Sequence, residues 1–298
     1  MAIKKVLVTG ATGFIGRRLL PLLVGAGYDV VALSRKPQQA SPGIRYVAVD
    51  LLAADAIDSL IAAEQPEALV HLAWCTEHGA FWESADNHQW VDMTLRMAKI
   101  FANNGGEHFV GAGSCAEYAW DSAAPLAEDD AIGEPDTLYG QSKKLVCRQL
   151  TELFADTPVC FDWGRIFFIY GYGEGESKFI SSAIDAYGRG DQFGCQNPLL
   201  VRDFIYVDDV ANAFSKMLAT ASGAVYNVGS GTGNALGDVV ALIADAFEFQ
   251  APLFPETGEK VGMPVVADVD RATKLLGFAP SFTLKMGIQA HMHDQVKH

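Results

Sequence analysis

The chain has 298 residues, half of them hydrophobic and 19% charged. That composition excludes a largely disordered protein, and the length leaves room for a large core in one or two domains. The formal net charge of −14 argues against a nucleic acid partner, because an acidic surface repels phosphate backbones.

Neither a membrane segment nor a metal site is expected from the sequence. It has no run of about 18 apolar residues, the length that a membrane-spanning helix requires. Its first residues pass directly into a predicted strand and lack the apolar region of a signal peptide. The cysteines do not have the short spacings of zinc ligands: they are Cys75, Cys115, Cys147, Cys160 and Cys195. These features predict a reduced, cytoplasmic protein without a metal.

Short apolar runs alternate with helix-length segments along most of the chain. The runs lie at 6–8, 30–33, 46–49, 68–72 and 109–110, with later ones at 159–168 and 225–228. Strands that are apolar along their whole length are typical of a parallel sheet covered by helices on both faces. The pattern predicts an α/β fold, a Rossmann-type doubly wound parallel sheet.

The rhythm of the sequence changes after about residue 165. A Gly-rich loop at 171–176 precedes predicted helices at 177–189 and 235–249. We therefore expect a large nucleotide-binding domain formed by residues 1–165 together with about 200–232. A smaller C-terminal α/β lobe would comprise 166–199 and 233–298, with the substrate in the cleft between the two.

Three glycines stand between the first predicted strand and the first predicted helix. They are spaced as GxxGxxG. Glycines in such a turn let the backbone approach a pyrophosphate, which N–H groups at the helix N-terminus can bind. The turn therefore predicts a dinucleotide site. Its residues are Gly10, Thr12, Gly13, Phe14, Ile15 and Gly16.

The end of the second predicted strand indicates which dinucleotide binds. NAD enzymes with this fold place an acidic residue there to hold the ribose 2′-hydroxyl. Here the strand ends at Ser34, and Arg35 and Lys36 follow. A hydroxyl with two cations suits a 2′-phosphate, which a carboxylate would repel. The sequence therefore favours NADP, with NAD as the alternative.

A tyrosine and a lysine form a YxxxK motif on a predicted helix. Tyr139 and Lys143 are four residues apart, so both side chains lie on one helical face. A free tyrosine has a pKa of about 10, which a nearby cation lowers. The pair therefore predicts Tyr139 as a general acid or base, assisted by Lys143.

These motifs occur in the order in which the extended short-chain dehydrogenase/reductase family has them. A further segment, Gly111–Tyr118, places Ser114 just after the strand at 109. The chain resembles the NAD-dependent epimerase/dehydratase branch of that family, whose members act on nucleotide sugars. Other matching segments are His71–Trp74, Arg202–Val210 and Leu275–Pro280, so the resemblance spans nearly the whole chain.

The resemblance implies roles for further residues. Ser114 would hydrogen-bond the reacting oxygen, and Lys143 would also bind the nicotinamide ribose. Arg202 would hold the diphosphate of the substrate, with Lys178 and Lys260 as additional candidates. The remaining implied cofactor contacts are Asp50 and Leu51 at the adenine, and Leu72, Ala73 and Trp74 near the nicotinamide.

Two departures from the family bear on the reaction. Cys115 and Ala116 stand where the dehydratases have Asp-Glu, which argues against elimination of water. Phe168 and Ile169 stand where many relatives have an asparagine that contacts the substrate. The favoured reaction is carbonyl reduction or oxidation at C4 of a nucleoside diphosphate sugar.

Three alternative functions stay open at this point. They are a nucleotide-sugar 4-epimerase with tightly bound NAD, a reductase of small carbonyl compounds, and a non-catalytic dinucleotide sensor. The family also implies a homodimer, formed through two helices of which one carries the YxxxK motif. Leu145, Val146 and Leu150 are compatible with that contact and equally with packing on the sheet.

Overall fold

A seven-stranded parallel sheet forms the centre of the molecule. The computed structural model describes residues 3–53, 55–75, 81–129, 133–249 and 262–297, with side chains up to 295. The strands of this sheet are β1 (Lys5–Thr9), β2 (Asp29–Ser34), β3 (Ile44–Ala48), β4 (Ala68–His71), β5 (His108–Ser114), β6 (Cys160–Ile166) and β9 (Val225–Val228). Their order is β3-β2-β1-β4-β5-β6-β9, and all neighbours are parallel.

Helices cover both faces of this sheet. They are α1 (Gly16–Gly25), α2 (Ala56–Glu64), α3 (Asp86–Asn103), α4 (Leu138–Phe154), α6 (Val207–Thr220) and α8 (Asp270–Leu276). The remaining described helices, α5 (Phe179–Gly188), α7 (Leu236–Ala246) and α9 (Leu284–Lys297), pack in a separate core in the C-terminal part of the chain. Val6 and Val8 pack towards one face, in a core shared with α1 and α6, while Leu7 packs towards the other, beside α3 and α4. Because both faces are buried, apolar residues occupy successive strand positions. The predicted doubly wound α/β fold is confirmed.

A second, three-stranded sheet lies in the C-terminal part of the chain. It consists of β7 (Phe168–Tyr170), β8 (Val201–Tyr206) and β10 (Gly233–Ala235), in the order β10-β8-β7. We expected about 200–232 to belong with the large sheet, but β8 pairs with β7 and β10 instead. Residues 225–228 do join the large sheet, as β9. The division into two domains otherwise stays a prediction.

The topology brings several loops together at one edge of the large sheet. The strand order reverses between β1 and β4, which leaves a crevice at the carboxyl ends of these strands. Gly10 follows β1, Leu72 follows β4 and Ser114 ends β5, so all three lie at that edge. In the part of the chain that the structure describes, every helix is too short or too polar to cross a bilayer.

Candidate active site

The glycine turn between β1 and α1 packs tightly against the start of the helix. Gly10 has a φ of +65°, a conformation that residues with a side chain rarely adopt. A Cβ on Gly16 would lie 2.2 Å from the carbonyl oxygen of Gly10 and 2.6 Å from that of Ala11. Both positions therefore require glycine if α1 is to begin directly behind the strand.

This turn presents free backbone donors. The N–H of Gly13 donates to the carbonyl of Gly10 over 3.0 Å. Among the described residues nothing accepts a hydrogen bond from the N–H groups of Thr12, Phe14 or Ile15. Three free donors at a helix N-terminus fit the pyrophosphate of a dinucleotide, which supplies the missing acceptors.

A buried histidine holds the loop after β4 against the glycine turn. The His71 ring contacts the hydroxyl of Thr9 over 2.7 Å through Nδ1 and that of Thr94 over 3.0 Å through Nε2. Burial lowers the pKa of His71 to about 3, so the ring is neutral. Thr9 in turn accepts the N–H of Ala73 over 3.2 Å. These contacts fix Leu72, Ala73 and Trp74 beside the predicted cofactor position.

The end of β2 carries two unpaired cations. Ser34 is buried, and its hydroxyl donates to the carbonyl of Lys36 over 2.7 Å, which closes a tight turn. Arg35 and Lys36 are exposed, and neither pairs with a carboxylate among the described residues. On the neighbouring β3 side, Asp50 accepts the N–H of Leu52 and Leu51 is buried. The cations are therefore available to a ligand anion.

Ser114 and Tyr139 meet at the carboxyl end of β5. Ser114 caps a single 3₁₀ turn, Cys115–Glu117, and its hydroxyl accepts the N–H of Ala116 over 3.2 Å. Tyr139 stands in the first turn of α4, which Thr137 caps by accepting the N–H of Gly140. Burial raises the pKa of Tyr139, and the nearby Ser114 side chain lowers it by less.

Lys143 lies one helical turn beyond Tyr139 and is almost fully buried. Its ammonium donates to the carbonyl of Ala112 over 2.8 Å and lies 3.8 Å from the centre of the Trp74 ring. Burial lowers the pKa of Lys143 to about 7, against a smaller raising by the charge of Glu117. The structure thus brings together the three residues predicted as catalytic.

An aromatic cluster surrounds the Tyr139 ring. The rings of Phe81, Trp82 and Trp74 lie 4.9, 5.7 and 6.4 Å from it, all edge to face. The carbonyl of Trp82 also accepts the N–H of Tyr139 over 3.0 Å. This packing fixes the direction of the phenol.

Two of the residues predicted to bind substrate lie over aromatic rings. The Lys178 ammonium lies 5.4 Å from the centre of the Phe81 ring. The Arg202 guanidinium lies over Trp120 and Phe168, and its Nη1 donates to the carbonyls of Val201 and Met263. Part of its donor capacity is therefore committed within the protein. Lys260 lies outside the described residues.

The sequence motifs did not identify a buried ion pair beneath Ser114. Glu117 is fully buried, and its carboxylate accepts Ser114 N and Trp163 Nε1, each over 2.9 Å. Arg165 Nε also donates to it over 2.9 Å. One local signal was available, because Ser114 and Glu117 form an S-x-x-E capping box. The partner Arg165 is 48 residues away and leaves no local signal.

A group of possible metal ligands occurs at the opposite edge of the sheet. Ligand atoms of His108, Cys160 and Asp162 all lie within 4.8 Å of one another. His108 and Asp162 are already hydrogen-bonded to each other over 2.8 Å, and Asp162 also accepts the Ser222 hydroxyl and the N–H of Ala224. The absence of a metal stays a prediction.

The comparison with known families identifies the chain. The model of the NAD dependent epimerase/dehydratase family matches residues 6–229, which include the glycine turn, Ser114, Tyr139 and Lys143. The chain belongs to this family. Its match to the family model covers about three quarters of the sequence, so the predicted resemblance is confirmed.

Individual relatives differ in activity. The chain is 28% identical to a CDP-abequose synthase of Salmonella typhimurium, over 95% of this chain and 96% of the relative. It is 27% identical to a GDP-6-deoxy-D-mannose reductase of Pseudomonas aeruginosa, over 98% and 97%. A dTDP-L-rhamnose 4-epimerase of Burkholderia thailandensis is 26% identical, over 96% and 93%. The relatives thus include reductases and epimerases, and the chain is an enzyme of this group.

Solved structures agree with this fold. MoeE5 in complex with UDP-glucuronic acid and NAD is 27% identical, with a TM-score of 0.82 over 98% of this chain and 99% of that one. A UDP-N-acetylglucosamine 4-epimerase from Methanobrevibacter ruminantium has a TM-score of 0.87 at 20% identity, over 100% and 99%. The second likeness is evidence for the fold alone.

Proposed function

We propose that this enzyme reduces or oxidises C4 of a nucleoside diphosphate sugar, with Ser114, Tyr139 and Lys143 as its catalytic residues. The observation that carries the proposal is that Ser114 at the end of β5 and Tyr139 in the first turn of α4 come together, with the Lys143 ammonium 6.0 Å from the centre of the Tyr139 ring. Two hydroxyls and a cation at the carboxyl edge of the sheet suit proton transfer to a carbonyl oxygen.

The proposed roles follow from the chemistry of each group. The Ser114 hydroxyl donates a hydrogen bond to the C4 oxygen, and Tyr139 transfers a proton between its Oη and that oxygen. The Lys143 ammonium favours the phenolate of Tyr139 and binds the nicotinamide ribose. Arg202 and Lys178 are proposed to hold the diphosphate, since both are half-buried cations that lie over aromatic rings.

The dinucleotide supplies the hydride acceptor or donor when it is bound. The free N–H groups of Thr12, Phe14 and Ile15 would hold its pyrophosphate. The ordered loop at Leu72, Ala73 and Trp74 would contact the nicotinamide end. Asp50 and Leu51 would lie at the adenine.

We further propose that the preferred dinucleotide is NADP. Support comes from Ser34 at the end of β2 and from the exposed cations Arg35 and Lys36, which have no carboxylate partner among the described residues. A 2′-phosphate would accept charge-assisted hydrogen bonds there. Exchangeable NADPH would also suit a reductase, whereas an epimerase retains its dinucleotide.

The first experiment identifies cofactor and reaction together. Dinucleotide released from the purified protein is identified, and the protein is titrated with NADPH and NADH. Reduction is then assayed with CDP-, GDP- and dTDP-linked 4-keto-6-deoxyhexoses. Turnover that consumes NADPH is the expected result. Retained NAD, with conversion of UDP-glucose to UDP-galactose without added reductant, would instead establish the 4-epimerase.

Charge reversal at Arg35 tests the proposed NADP preference. We expect Arg35→Glu to weaken NADPH binding about 10- to 100-fold, because the new carboxylate repels the 2′-phosphate. NADH binding should stay within about twofold. Lys285→Glu is the matched control, since it makes the same charge change at an exposed position of α9. Equal loss of NADPH binding in both variants would refute a local role for Arg35.

Two further properties are proposed, an oligomeric state and a cellular location. A homodimer is proposed from the family resemblance, but Val146 and Leu150 belong to the core of this chain and Leu145 packs against it. Val146 and Leu150 are therefore committed to the core, while Leu145 stays partly exposed on α4. A cytoplasmic location is proposed because all five cysteines are free thiols.

A further inference from the structure

The ion pair beneath Ser114 is built into the same short segment as the catalytic serine. Glu117 ends the 3₁₀ turn that Ser114 begins, and its Oε1 accepts the Ser114 N–H over 2.9 Å. Trp163 Nε1 donates to the same oxygen over 2.9 Å. The backbone of Ser114 is thus tied to a side chain that is itself held from β6.

Arg165 fixes the other oxygen of this carboxylate. Its Nε donates to Glu117 Oε2 over 2.9 Å, while its Nη1 donates to the Tyr118 hydroxyl over 2.8 Å and to the carbonyl of Glu128. Tyr118 then donates to Asn227 on β9 over 2.8 Å. Residues from β6, from β9 and from the loop at Glu128 therefore converge on the turn that carries Ser114. The polar side chains of this network hydrogen-bond one another.

Glu117 also acts on Lys143 through its charge. The titratable groups that face Lys143 are Tyr139 on its own helix, His71 at the end of β4 and Glu117 from the 3₁₀ turn. His71 is neutral, and the charge of Glu117 raises the pKa of Lys143 while burial lowers it. Without this carboxylate, Lys143 would lose its proton at a lower pH.

We propose that Glu117, held by Arg165, is a positioning residue that orients Ser114 and acts on the Lys143 ammonium across Trp163, whose Nε1 donates to Glu117 and whose ring centre lies 5.8 Å from that ammonium. This inference rests on the proposed function of Ser114 and Lys143 and adds a residue that touches neither substrate nor cofactor. The Glu117 side chain would then act on both the Ser114 hydroxyl and the Lys143 ammonium.

Glu117→Gln is the test, with Glu128→Gln as its matched control. Glu128 is a second buried carboxylate of the same network, which accepts the N–H of Asn227 over 2.7 Å but has no contact with Ser114. We expect Glu117→Gln to lower kcat about 10- to 100-fold, because a misplaced catalytic group costs that much. The loss should grow as pH rises, since Lys143 deprotonates earlier. Glu128→Gln should keep kcat within about twofold.

A readout independent of turnover follows Lys143 directly. The pH dependence of its 13Cε signal is measured in the full chain labelled at lysine, with Lys143→Arg used for assignment. The titration midpoint should move to lower pH in Glu117→Gln and stay in place in Glu128→Gln. An unchanged midpoint together with normal kcat would overturn the proposal. Equal kcat losses in both variants would overturn it as well, because they would indicate a general packing effect.

A double variant covers the case in which Glu117→Gln does not fold. Glu117→Gln with Arg165→Met removes both buried charges, an exchange that is often tolerated when neither charge is left unpaired. We expect this variant to fold, with Lys143 still titrating at lower pH and kcat still reduced. A double variant with the wild-type titration midpoint of Lys143 and the wild-type kcat would contradict the proposal. If the wild type turns over no carbonyl substrate, the proposed function fails, and the Lys143 titration still decides the role of Glu117.

Discussion

Replacement of Tyr139 by phenylalanine is expected to lower kcat by about 100- to 10,000-fold while dinucleotide affinity stays within about twofold. The variant deletes only the phenolic oxygen that would exchange a proton with the substrate. The ring itself remains packed against Phe81, Trp82 and Trp74, so the helix that carries Lys143 keeps its position. Single-turnover kinetics would separate the loss in the chemical step from any change in binding.

Tyr187→Phe is the matched control for that experiment. The hydroxyl of Tyr187 is buried on α5 and has no hydrogen-bond partner among the described residues. Its removal deletes the same atom without loss of a bond, so kcat and the melting temperature should stay at or above wild-type values. Near-normal turnover in Tyr139→Phe would contradict the assignment of Tyr139 as the proton donor.

The catalytic trio was predictable from sequence because its signals are local. The spacing of Tyr139 and Lys143 places both on one face of a helix, and Ser114 follows an apolar strand that must end at the same edge of the sheet. The glycine turn is equally local, since a strand, three glycines and a helix follow one another directly. In each case a few neighbouring residues determine the geometry.

The surroundings of the trio depend on contacts between distant residues. The Phe81 and Trp82 rings reach Tyr139 from a segment more than 50 positions earlier, and Arg165 meets Glu117 across 48. Contacts between residues this far apart in the sequence leave no spacing pattern that would predict them. The sheet that residues 201–206 join was not predictable for a related reason: we assigned about 200–232 to the nucleotide-binding domain, and no local pattern indicates that β8 pairs with β7 and β10.

The proposed contact of Arg202 with the diphosphate does not select one nucleotide sugar over another. Arg202 donates hydrogen bonds from Nη1 to two backbone carbonyls and stacks on Trp120 and Phe168. These contacts orient its remaining donors but do not distinguish one nucleotide from another. Guanidinium groups recognise a diphosphate whatever base it carries. Other residues must therefore recognise the base and the sugar. Assays with the CDP-, GDP- and dTDP-linked sugars would identify the preferred base and sugar.

Replacement of Gly16 by alanine is expected to weaken dinucleotide binding at least about 10-fold and to destabilise the fold. A Cβ there would lie 2.2 Å from the carbonyl oxygen of Gly10 and 2.6 Å from that of Ala11. Both are backbone atoms, so α1 must move away from the strand, at a cost of about 1–3 kcal/mol in stability. The displaced N–H groups of Thr12, Phe14 and Ile15 would each lose a charge-assisted hydrogen bond to the pyrophosphate. One such bond contributes about 1.5–3 kcal/mol, so affinity should fall at least about 10-fold.

Gly25→Ala supplies the matched comparison within the same helix. Gly25 ends α1, and a Cβ there would meet no atom within 4 Å. Because alanine favours the helix more than glycine does, this variant should gain up to about 1 kcal/mol and bind the dinucleotide normally. Isothermal titration with NADPH and thermal unfolding of both variants measure the two effects. If Gly16→Ala bound NADPH as well as Gly25→Ala does, the close contact behind β1 would not be what shapes the pyrophosphate site.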